Sequence, residues 1–201
     1  MWSLLSRKWQ VTLIVAAGVI IAWSVEALWL IAFNEGAGLL KSVSLAVAVI
    51  TTIGALALEW AWRSLWAKFP SLGLRTFPDL NGVWKGTLIS TWKDPESGRA
   101  PEPIPVEIAI RQGLFLTHVS LATSESKSHS TRCFLEPFYD TRCHRIWYSY
   151  SNEPRAQVRH RSAPHEGVAF LELDFDDDPT WLTGRYYTAR KTTGDISVKR
   201  T

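Results

Sequence analysis

Cysteine is scarce in these 201 residues, and recognisable catalytic signatures are missing altogether. Cys133 and Cys143 are too few for a disulfide framework, and two cysteines suit a reducing compartment as well as an oxidising one. There is no glycine-rich phosphate loop, no G-x-S-x-G elbow and no cysteine–histidine pair in a catalytic context, so no catalytic residue and no cofactor is expected. No metal centre is expected either. His160 and His165 lack a third ligand at zinc-like spacing. The acidic run Asp174, Asp176, Asp177, Asp178 ends at Pro179 and reads as a solvated turn, since a calcium loop needs a longer spaced set of oxygens. Net charge is missing from residues 79–201, where sixteen basic side chains meet sixteen acidic ones. That balance argues against binding a DNA or RNA polymer, which needs a basic face. It leaves room for a pocket that takes one small anion.

The longest absence is of charge itself. Nothing from Trp9 to Val25 is charged, and after Glu26 the apolar run resumes through Phe33. Asn34-Glu35-Gly36 breaks it, and a second uncharged stretch runs from Ser42 to Leu58. Spans of about 20 residues match a hydrocarbon core of roughly 30 Å and must be helical there. The expectation is a transmembrane hairpin over residues 1–69, with spans at about 9–33 and 42–62. A cleaved signal peptide is the alternative for the first span, but its apolar run is long and a second span follows. Arg7 and Lys8 before the first helix, with Arg63, Lys68 and Arg75 after the second, place both termini in the cytoplasm. Trp2, Trp9, Trp60, Trp62 and Trp66 suit the interfaces. Small residues (Ala16, Ala17 and Gly18; Ser42, Ser44, Ala46, Ala48, Gly54, Ala55 and Ala57) allow close helix packing, within the hairpin or between copies. Glu26 is either an interfacial acid or a group that faces another helix and tunes membrane assembly.

Two prolines and a glycine mark 70–78 as a stiff linker. From residue 79 the periodicity becomes two. Strands are expected at 80–92, 104–111, 115–123, 130–135, 145–151, 168–175, 182–190 and 195–200, separated by turn sequences such as Asp94-Pro95-Glu96-Ser97-Gly98 and Thr192-Thr193-Gly194-Asp195. Eight such strands predict an antiparallel up-and-down β-barrel over 79–201, which removes the edges, with a β-sandwich as the alternative. Gly82-Val83-Trp84 resembles the G-x-W that closes lipocalin-like barrels.

Alternation also predicts polar side chains inside. If Gly184 faces inward, so do Tyr186, Thr188 and Arg190; if Tyr148 does, Tyr150 and Asn152 follow. Thr123 leads into the run Ser124, Ser126, Ser128. Aromatic rings stack on bases, hydroxyls bond to phosphate and sugar, and arginine matches phosphate bidentately. Tyrosine and threonine are also ordinary strand formers, and Arg190 then sits on an exposed rim.

The hairpin and strand series, with Leu80-Asn81-Gly82-Val83-Trp84-Lys85-Gly86, the Thr123 to Ser128 run, Tyr148-Ser149-Tyr150 and Gly184-Arg185-Tyr186-Tyr187-Thr188-Ala189-Arg190, resembles the two-transmembrane, β-strand-rich effectors of bacterial CBASS antiphage defence. The resemblance implies a cytoplasmic barrel on the inner membrane that receives a cyclic dinucleotide or related cyclic oligonucleotide from a partner nucleotidyltransferase. It further implies ligand-dependent homo-oligomerisation of the helices, disruption of the lipid bilayer and death of the infected cell. Two other readings stay open. A tethered carrier of an apolar ligand requires a barrel lined by Val, Ile, Leu and Phe. A protein-docking domain requires a filled barrel with an exposed apolar patch.

Overall fold

Residues 7–33 contain no proline and one acid, and they form a helix throughout. The computed structural model describes residues 2–54, 60–64, 68, 77–93, 98–138, 140–141, 143–174, 178 and 180–201. It falls into two units, Met1–Leu72 and Gly73–Thr201.

In the first unit α1 (Arg7–Phe33) is capped by Ser6, whose side chain accepts the Trp9 N–H. Asn34 ends it in the left-handed conformation that asparagine tolerates, its N–H bonding the Leu30 carbonyl at 2.9 Å. Its 27 residues span about 40 Å, and it is long and apolar enough to cross a membrane. None of its residues is buried. The second helix, α2 (Leu39–Val49), continues as a π turn over Ile50–Gly54. Glu26 Oε2 accepts a hydrogen bond from Ser42 Oγ at 2.8 Å, and Gly18 lies by Ile50, so the helices run antiparallel. Small residues make the contact, since Ser42 and Ala46 are the buried positions of α2. Of the expected second span, α2, the π turn and helical residues 60–64 are described, while 55–59 lie outside the described residues. So do the linker positions 70–76, Trp66 and the turn residues 94–97 and 175–177.

The second unit holds eight strands: β1 (Gly82–Ser90), β2 (Ile104–Gln112), β3 (Thr117–Ala122), β4 (Ser126–Phe138), β5 (Cys143–Pro154), β6 (His165–Asp174), β7 (Trp181–Thr188) and β8 (Thr193–Arg200). Each pairs antiparallel with the next, and β8 returns to β1, closing the barrel. Closure removes the sandwich alternative, because two stacked sheets would leave edges that this ladder does not have. Several strand ends differ from the sequence expectation, among them β5, which runs to Pro154 and takes in Asn152, and two others move candidate site residues. β4 starts at Ser126 rather than Ser130, so Ser126 and Ser128 lie in a strand. β7 stops at Thr188, so Arg190 belongs to the following turn and loses the inward parity expected of it.

One end of the barrel is plugged. Trp84, Ile108, Ile110, Ile146, Leu171, Leu182 and Val198 fill it, all fully buried, and the lead-in residues Phe77 and Leu80 fold beneath them. Gln112 clasps this lead-in. Its Oε1 accepts the Leu80 N–H at 2.8 Å and its Nε2 donates to the Pro78 carbonyl at 3.2 Å. Gly82 begins β1 at this end. Trp84 Nε1 donates to the Leu80 carbonyl at 3.1 Å, and the Arg200 guanidinium stacks over the indole at 5.0 Å while bonding the Asp79 and Asn81 carbonyls.

Candidate functional site

The other end of the barrel is polar. Ladder register sets its inward side chains in rows around the wall. Next to the apolar plug, Cys133, Tyr148, Ala169, Tyr186, Gly194 and Ser90 succeed one another on β4, β5, β6, β7, β8 and β1. One step toward the mouth come Ser130, Tyr150, Gly167 and Thr188. At the rim stand Ser128, Asn152 and His165. Tyr148, Tyr150, Tyr186 and Thr188, expected from parity to face inward, thus meet at one end.

Their roles differ. Tyr148 is buried, its ring 6.0 Å from that of Tyr150, and burial pushes its hydroxyl well above the ordinary tyrosine range. Tyr150 is pushed up to about 12, by burial first and then by Tyr186, with Arg190 opposing. Tyr186 donates to Ser90 Oγ at 2.8 Å, and burial raises it too. Thr188 serves its turn: its hydroxyl accepts the Thr192 N–H and lies 2.7 Å from Thr192 Oγ1. Thr123 likewise accepts the N–H groups of Glu125 and Ser126 in the β3–β4 turn, and Ser126 Oγ lies 3.3 Å from it. Arg190 stands exposed on the rim, donating to Ser162 Oγ at 3.1 Å, with Nη2 3.5 Å from His165 Nε2. Burial depresses His165 below its usual value, the bond to the Ala163 carbonyl opposes this, and Arg190 lowers it further. Sequence reasoning missed Ser90 and weighed His165 only as a metal ligand. Strand parity carried the signal for both: Ser90 already lay in the expected first strand on the Trp84 face, and His165 shares the Gly167 face once β6 is extended back to 165.

Three groups mark the mouth as a site. Tyr150, Asn152 and Ser128 are more than nine-tenths buried. Yet the Tyr150 hydroxyl, the Asn152 amide and the Ser128 hydroxyl have no side-chain hydrogen bond among the described residues. Their polar atoms reach the solvent of the mouth, where they are open to water or to a ligand. Cations gather above them. The β5–β6 connection holds Arg155, Arg159 and Arg161 with no acid of its own, and Arg190 and Lys191 form the β7–β8 turn. Arg161 is paired to Glu125. An open depression of about 480 Å³ beside the mouth groups is lined by Tyr150, Gly167 and Thr188 of the inward rows and by Ser149, Glu166, Val168 and Tyr187 of the outer face.

The polar rows on β4 to β8 depart from a lining of Val, Ile, Leu and Phe alone, while Leu121 on β3 stands level with Ser128. Nor is the outer aromatic row of Phe134, Trp147 and Phe170 an idle patch. Arg145 stacks on Phe138, Trp147 and Phe170 and donates to Glu172 from Nε at 2.8 Å. Cys133 and Cys143 form no disulfide.

Fold and lining are those of a small-molecule-binding barrel whose ligand is polar. Comparison with known proteins makes this specific. The profile of one family, "Cap15, cyclic dinucleotide receptor domain", matches residues 75–200, and the chain belongs to that family. It is similar to the CD-NTase-associated protein 15 of Staphylococcus schleiferi, with 24% identity over 159 residues that cover 79% of this chain and 78% of the relative. The CBASS resemblance read from the sequence holds at the level of the family.

Proposed function

We propose that this protein is a membrane-tethered receptor that converts a cyclic dinucleotide signal into loss of the bacterial inner membrane. Residues 1–69 anchor it as a two-span hairpin with both termini cytoplasmic, 70–78 connect, and 79–201 bind the ligand, a cyclic dinucleotide or related cyclic oligonucleotide from a partner nucleotidyltransferase. The ligand binds one assembly state more tightly than the other and so shifts the helices toward a homo-oligomer that disrupts the bilayer. It does no chemistry on the ligand. The observation that carries this reading is the polar mouth, where the Asn152 amide and the Ser128 hydroxyl stand open to a ligand beneath a rim of arginines, as the bases and phosphates of such a ligand require. The test uses full-length protein in liposomes loaded with a self-quenching dye, given cyclic dinucleotides or linear mononucleotides. Ligand at 100 times its Kd adds about 2.7 kcal/mol of stability, read as a raised melting temperature, together with a larger cross-linked species and dye release. No stabilisation by any cyclic nucleotide rejects the receptor. Stabilisation without assembly or leakage rejects the coupling and leaves the binding.

A further inference from the structure

Two tyrosines of the mouth are seated on glycines in the same manner. Tyr150 on β5 is paired with Gly167 on β6, and Tyr186 on β7 with Gly194 on β8. A Cβ added at 167 would lie 2.5 Å from Tyr150 Cζ and closer still to its hydroxyl; one added at 194 would lie 2.5 Å from Tyr186 Cε1 and 2.8 Å from its hydroxyl. A ring that near the place of a missing side chain lies over the glycine and occupies the space a Cβ would take. Tyr186 crosses β8 altogether and reaches Ser90 on β1. Tyr150 brings the tip of its ring, Cζ and hydroxyl, over Gly167 on β6. Opposite any larger residue, either ring would be driven off the wall and would fill the lumen.

We infer that Gly167 and Gly194 determine what the barrel accepts: by laying Tyr150 and Tyr186 against the wall they keep the lumen open and turn two ring faces into it, as stacking platforms for two nucleobases of one ligand. This deepens the receptor reading and rests on it. Two like seats, displaced by two strands around the wall, match a ligand with two like halves. Tyr148, buried beneath Tyr150, is floor rather than platform. The Asn152 amide, in the row above the Tyr150 seat, offers a donor and an acceptor together, as the edge of a stacked base requires.

The test is isothermal titration of full-length protein in detergent with cyclic di-AMP, cyclic di-GMP and cyclic GMP–AMP, on the wild type and on Tyr150→Phe, Tyr186→Phe, Tyr150→Leu, Tyr186→Leu, Gly167→Ala and Gly194→Ala. For the best probe, the Phe variants are expected to stay within about threefold of wild type, because the ring face remains. The Leu variants should lose about tenfold or more each, the scale of one base–aromatic stack. The Ala variants should lose as much while keeping the β-sheet circular dichroism. An added Cβ also crowds the Tyr187 and Ile89 carbonyls, so where an Ala variant unfolds the Phe and Leu pairs decide. Leu variants that bind as wild type, or Phe variants as weak as Leu, overturn the inference while the receptor stands. A wild type that binds no probe overturns the receptor reading and this inference with it.

Discussion

Replacing Gln112 by alanine tests how the barrel is closed at its plugged end. The side chain is buried and spans the lead-in segment, accepting the Leu80 N–H at 2.8 Å and donating to the Pro78 carbonyl at 3.2 Å. Leu80 is 1% exposed, so water does not reach its N–H in the intact fold. A buried donor without an acceptor costs about 1–3 kcal/mol, and losing the second bond costs about 1 kcal/mol net. The sum, about 3 kcal/mol, corresponds to a melting temperature lower by about 12 °C for a unit of this size, at about 4 °C per kcal/mol. The assay is thermal unfolding of the full-length protein in detergent, followed by the β-sheet circular dichroism signal. Gln112→Glu sharpens it. A neutral carboxyl can donate and accept as the amide does, whereas burial disfavours its ionised form and raises its folded pKa above the unfolded value. Its stability is therefore complete below the unfolded pKa and is lost as pH rises through the folded one. The deficit should be small near pH 4 and large at pH 8. An alanine variant that melts within about 2 °C of wild type would refute the reasoning, since the Leu80 N–H would then have another partner.

Other outcomes follow from the same geometry. Tyr150 and Tyr186 have hydroxyls raised by burial, so the unfolded chain ionises first; stability should be full below about pH 10 and fall as pH rises toward 12, with a smaller fall in Tyr150→Phe, read by alkaline melting curves. His165 is depressed, so the stability it contributes is present above about pH 6.5 and is lost as pH falls. A histidine NMR titration should place it below that value and show it rising in Arg190→Gln. Leu171→Ala removes a fully buried side chain from the plug and should cost about 2–5 kcal/mol in urea unfolding, with the mouth's ligand preference unchanged.

Much of this molecule was legible one residue at a time. Uncharged runs from Trp9 and from Ser42 marked the helices, because apolar length is a local property. Strict alternation marked eight strands and correctly turned Tyr148, Tyr150 and Asn152 to one side and Tyr186 and Thr188 to the other strand's same side, because successive strand side chains oppose each other. Parity failed where a strand ended or slipped. Arg190 left it because β7 stops at Thr188. The register shift between Ser130 and Arg132 puts Thr131 out of step and turns Arg132 outward beside Ser149, although the serine run alone would carry it inward. Hydroxyl roles were also hidden, since Thr123 and Thr188 spend theirs on turns whose partners the alternation does not name. Tertiary structure alone decided closure, which pairs Trp84 with Arg200 across the whole domain. It alone brought Ser90 to Tyr186 and set two tyrosines on two glycines. The Trp84–Arg200 pairing and the Ser90–Tyr186 bond join strands from opposite ends of the domain, and no local pattern encodes which strand lies next to which until the last one has returned to the first.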